Sequence, residues 1–175
     1  VCIMPGTAAV VLVRPYVRPK FRVEVDAGQD AHRLIHWIKS CNVQVVAEVV
    51  DKELTKDTVM GALQKLKSVD CDQSYVFYSG PGDARCGDWI LENGSVSRDE
   101  VLAQRGGRPM LLVADCCGSG CWAVDAPDAV NVAPAAAPGC TTADGQFLPL
   151  WMALQRGEID HQQMAQMLKP PVAPG

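Results

Sequence analysis

The chain predicts an α/β fold with a mostly parallel central sheet, and three observations carry that expectation. Ala8–Val13, Val43–Val50 and Tyr75–Tyr78 are short apolar or β-branched runs, as strands covered on both faces require. Two segments with helical spacing separate them, so the chain opens β-α-β-α-β, which right-handed crossovers turn into a parallel sheet. Ser74–Asp83 and Pro109–Trp122 are apolar runs that end in Gly/Ser/Cys turns. In a parallel sheet such strand ends converge on one crevice, where open α/β sheets keep their chemistry.

Taken in order, Val1–Gly6 has no periodic pattern, and Ala8–Val13 is the first strand. Arg14–Arg22 holds four basic residues and two prolines and reads as a solvated surface connection, with Val23–Val25 as a short extended piece. Asp26–Cys41 reads as a helix capped by Asp26, because Ala27, Ala31, Leu34, Ile35 and Ile38 recur on one face. Val43–Val50 is the next strand. Asp51 and Thr55 precede a helix running through Lys67, with Leu54, Val59, Leu63 and Leu66 as its apolar face. Trp89–Val96 reads as a hairpin about Asn93-Gly94, and Ser97-x-x-Glu100 is a capping box that opens a short helix. A further strand is expected at Ala129–Ala133. Gly145–Leu154 begins a helix that tolerates Pro149 only in its first turn. Asp160–Leu168 is the last helix, before a Pro-rich end at Lys169–Gly175 that should fray.

The 175 residues suffice for one core, and residues 1–168 read as a single domain followed by that tail. A net charge of -4 gives no case for nucleic acid, and no apolar run approaches the length of a membrane span. A first residue of Val1 is what a processed or truncated amino terminus leaves. Of the eight cysteines only Cys116, Cys117 and Cys121 cluster, so a reduced intracellular or organellar setting is expected rather than a disulfide scaffold. His32 and His36 have metal-binding spacing, but both fall on the polar side of their helix with no third ligand evident. A zinc site from Cys116, Cys117, Cys121 and Cys140 lacks the usual paired spacing. No cofactor or metal is expected.

Tyr78-Ser-Gly-Pro-Gly-Asp83 resembles the Tyr-Ser-Gly-His-Gly segment of metacaspases and other caspase-like cysteine peptidases. Asp115-Cys-Cys-Gly-Ser-Gly120 resembles their Asp-x-Cys-His-Ser-Gly nucleophile loop, and Gly28–Ala31 and Gly145-Gln-Phe147 resemble the openings of two of their helices. The likeness covers roughly residues 26–168. It implies a caspase-like three-layer α/β/α sandwich. It also implies that Cys117 falls on the nucleophile, Asp115 on the acidic residue that receives a basic side chain, and Pro81 on the general-base histidine. Gly118 stands where the family usually has histidine.

An unperturbed thiol has a pKa of about 8.5 and needs a base to draw off its proton and later protonate the leaving amine. Proline has no titratable side chain and no backbone N–H, so Pro81 supplies neither function. Gly118 and Gly120 could still shape an oxyanion-binding nest of amides. The blander reading of Cys116 and Cys117 is a pair of small residues packed at a strand end. For Asp115 it is a turn or helix-cap acceptor. The expectation is therefore a catalytically inactive caspase-like domain, acting as a structural or accessory subunit with other protein subunits as partners. The alternative is an active endopeptidase cleaving after Arg or Lys with Cys117 as nucleophile and an unrecognised base. A third reading is a regulatory pseudoenzyme that binds basic peptides at Asp115.

Overall fold

The computed structural model describes residues 6–13, 27–50, 54–141 and 146–168. Its elements run β1 (Thr7–Val13), α1 (Ala27–Ser40), β2 (Gln44–Val50), α2 (Lys56–Ser68), β3 (Gln73–Ser79), β4 (Trp89–Leu91) and β5 (Gly94–Val96). There follow α3 (Arg98–Leu102), β6 (Met110–Asp115), β7 (Val130–Pro134), α4 (Phe147–Gln155) and α5 (His161–Met167). The expected caps Asp26 and Asp51, the basic loop, Val23–Val25, Gly145 and the Pro-rich end lie outside the described residues.

Five strands form one sheet in the order β2-β1-β3-β6-β7, and every pairing in it is parallel. Every residue of β1 is buried, which is why its sequence shows no alternation. The sheet separates two apolar layers. On one side α2, α3 and the β4–β5 hairpin cover Val10, Leu12, Val76, Tyr78, Met110 and Leu112. On the other, α1, α4 and α5 cover Val11, Val13, Phe77 and Val113. The architecture is a three-layer α/β/α sandwich.

Local chemistry sets the element ends. Thr55 caps α2, Ser97 caps α3 with Glu100 reaching back, and Asp160 caps α5 with Gln163. Each reciprocal pair satisfies amides that the first helical turn leaves open. In the hairpin turn, Asn93 Oδ1 also accepts from the Lys56 amide at 2.8 Å, tying the hairpin to the start of α2. Pro149 is the third residue of α4, where its missing N–H costs no helical bond. Among the described residues no helix is long and apolar enough to cross a membrane.

Candidate functional site

β3 and β6 run side by side with Ser79 opposite Asp115, so Pro81 and Cys117 each lie two residues past a paired strand end. Parallel pairing brings their loops together, and the Gly80 amide donates to the Asp115 carbonyl at 3.1 Å. Gly82 is the point of contact. A Cβ on it would stand 2.5 Å from the Cys117 carbonyl oxygen and 3.0 Å from Cys116 Sγ. Pro81 is half-buried, and its carbonyl accepts from the Tyr78 hydroxyl at 2.7 Å and the Ile90 amide at 2.9 Å. The proline thus sits in a braced loop against the cysteine loop.

The two adjacent cysteines are unequal. Cys116 is buried, and desolvation, helped by the Asp115 carboxylate and by Cys117, pushes its thiol well above the usual range. It is a neutral packing residue. Cys117 is half-buried and reaches the surface. The three histidines, His32 and His36 on α1 and His161 on α5, are all exposed. Among the described residues no hydrogen bond joins a histidine to Cys117. Nor does any group of three His, Cys, Asp or Glu there have the placement to hold a metal ion.

Asp115 is only 4% exposed. Its Oδ2 accepts from Ser79 Oγ and from the Leu148 amide, each at 3.3 Å. Leu148 is the second residue of α4, whose own N-cap residue, Gln146, makes no side-chain cap bond. The strand-end carboxylate therefore satisfies an open amide of that helix and meets the positive end of its dipole. The helix-cap contact is thus present in the fold.

Gly118 takes φ 67°, a left-handed conformation, and begins a 3-10 turn over Ser119–Trp122. A Cβ there would run into the Asp83 carbonyl, so close approach demands glycine as well. The amides assigned to an anion nest are engaged elsewhere. Gly118 N–H donates to the Cys140 carbonyl at 2.8 Å and Gly120 N–H to the Ala136 carbonyl at 2.7 Å. Buried Ser119 completes this seam, its hydroxyl accepting from the Ala135 and Ala136 amides at 3.0 and 3.1 Å.

Sequence reasoning missed what lies beneath the loops. Tyr78, Trp89 and Trp122 stack in series, with centroids 4.3 and 4.9 Å apart. Both indole N–H groups are buried without an acceptor among the described residues. Such a group costs about 1–3 kcal/mol, which ring stacking and apolar burial offset here. Beside the 3-10 turn an open hollow of about 520 Å³ is lined by Ala123, Val124, Pro134, Ala136 and Pro138. Val124 is 51% exposed. In the sequence, only the Ala/Pro richness of residues 129–139 hinted at this apolar surface. Compared with known proteins, the chain matches no family model, and no curated protein matches its sequence.

Proposed function

We propose that this chain is a caspase-like domain without peptidase turnover, serving as a structural or accessory subunit of a larger protein assembly. The observation that carries the reading is Pro81: the loop packed on the Cys117 loop offers a ring that neither takes nor gives a proton. A positioned base contributes about 10²–10⁴-fold in rate, and members of a catalytic unit lose most of their effect when one is missing. The engaged amides of Gly118 and Gly120 and the buried, helix-capping Asp115 support the same reading. They leave oxyanion and basic side chain alike without a ready receiver. The apolar hollow beside exposed Val124 suits a partner subunit rather than a cleaved peptide.

The test has two arms. An Arg-ended amide substrate, with and without calcium, should show no turnover by the full chain, and Pro81→His should restore none. Turnover that disappears in Cys117→Ala would overturn the reading and reinstate an endopeptidase. Isolated from its native source, the protein should migrate with an assembly, and Val124→Glu should release it. A free monomer in the native source would overturn the assembly role.

A further inference from the structure

A second pair of thiols, Cys86 and Cys121, flanks the Cys117 turn. The turn following Gly82 is held by Asp83 N–H donating to the Asp88 carbonyl at 2.9 Å and Gly87 N–H donating to the Asp83 carbonyl at 2.7 Å. It packs directly on the 3-10 turn. A Cβ on Gly87 would stand 2.5 Å from the Gly118 oxygen and 2.8 Å from the Trp122 ring. At this seam Cys121 Sγ donates to the Arg85 carbonyl at 3.4 Å, and that carbonyl carbon is bonded to the nitrogen of Cys86. Cys86 is exposed, Cys121 is half-buried, and both are free. They border the same hollow of about 350 Å³, with Trp122 and Asp88 also in its wall.

We infer that Cys86 and Cys121 are a dithiol site that closes reversibly to a disulfide, joining the loop after Pro81 to the turn after Cys117. A disulfide needs Cα atoms about 4.4–6.8 Å apart. Cys121 Sγ already lies against the peptide group that precedes Cys86, so closing the bridge calls for rotation of the two side chains and whatever shift of the exposed Cys86 turn brings the Cα atoms into that range. The oxidant is a low-molecular-weight disulfide of the glutathione class. The Cys86 thiolate attacks one of its sulfurs, the S–S bond breaks, and one small thiolate leaves. Cys121, losing its proton to solvent, then attacks Cys86 Sγ and displaces the second small thiolate. Two protein thiols give up two electrons and two protons, and the small disulfide becomes two thiols. This inference is independent of the proposed assembly role.

The experiment equilibrates the full reduced chain with glutathione buffers of graded oxidised-to-reduced ratio, quenches by alkylation and maps linked peptides by mass. The expected result is the loss of two of the eight thiols, with the Cys86 peptide linked to the peptide carrying Cys121. Cys121→Ser should leave Cys86 alkylatable, whereas Cys117→Ser and Cys140→Ser should leave the link in place. The inference is overturned if Cys86 stays alkylatable throughout the series. Capture of Cys86 by another cysteine, or by a second copy as a covalent dimer, overturns it equally. Should Cys121→Ser fail to fold, phenylarsine oxide, which bridges neighbouring thiols, gives the answer on the unaltered chain. It should protect Cys86 and Cys121 together, and protection of neither overturns the inference.

Discussion

Gly82→Ala tests the contact that joins the two loops. The added methyl carbon would stand 2.5 Å from the Cys117 carbonyl oxygen and 2.9 Å from Cys116 Cβ. Even weak carbon–oxygen contacts sit at about 3.3–3.6 Å, so one loop must move by nearly 1 Å. The obstructing oxygen is main chain and cannot rotate away. Overpacking of this kind costs about 1–3 kcal/mol. Weakening the Gly80–Asp115 bond across the strand ends adds about 0.5–1.5 kcal/mol. The expected loss is therefore about 1.5–4.5 kcal/mol. Gly82 is not among the positive-φ residues, so steric approach rather than backbone strain is being measured. Gly61→Ala is the control: it sits inside α2 with nothing within 4 Å of the new carbon. There alanine should stabilise by about 0.5–1 kcal/mol. Urea unfolding followed by tryptophan fluorescence reads both. If Gly82→Ala shifts stability no more than about 0.5 kcal/mol, a typical surface change, the Pro81 and Cys117 loops are not packed against each other at Gly82.

Asp115→Ala should cost about 1–3 kcal/mol by leaving the Leu148 amide and Ser79 hydroxyl without their acceptor, and Asp115→Asn should recover part of it. Thermal unfolding checks this, and an alanine variant as stable as the parent would remove the cap from the account. The Lys56 ion pair and then the Ser97 amide hold the Glu100 carboxyl below its ordinary value. Its contribution is thus present above that ordinary value and lost as pH falls through the lower folded one. Glu100→Gln should be less stable than the parent near neutrality and merge with it in acid. The gap should stay below about 1 kcal/mol because both charged groups are more than a third exposed. A gap that persists unchanged in acid would refute the assignment. Closing the Cys86–Cys121 bridge spans a loop of about 35 residues, worth up to about 4 kcal/mol through the unfolded chain. Oxidised protein that melts no higher than reduced protein would mean the bridge strains the fold.

Much of the fold was legible because its determinants are local. Ser97 and Glu100, three residues apart, form the capping box that the spacing announced. The hairpin forms where Asn93-Gly94 announced it, though its two turn residues are Glu92 and Asn93, with Gly94 paired to Leu91 as the first residue of β5, and continuous apolar runs became β1 and β3 within a residue or two of their expected ends. The site was only half legible. The paired loops after β3 and β6 follow from a parallel sheet, but the partners of each polar group do not. Nothing near Asp115 in sequence points to Leu148, which lies 33 residues away, and nothing near Gly118 points to the Cys140 carbonyl. The Tyr78–Trp89–Trp122 stack likewise draws on three separate segments.

By itself, the order of residues determined the α/β alternation, the helix caps and the absence of a proton-transferring side chain at position 81. These depend on propensities and chemistry that a few neighbouring residues carry with them. Only the tertiary structure decided that Asp115 caps a helix, that the Gly118 and Gly120 amides are taken, and that Cys86 and Cys121 share one hollow. A hydrogen bond or thiol pair needs two partners at a few ångströms, and the chain distances between them here are bridged only when the sheet packs against its helices.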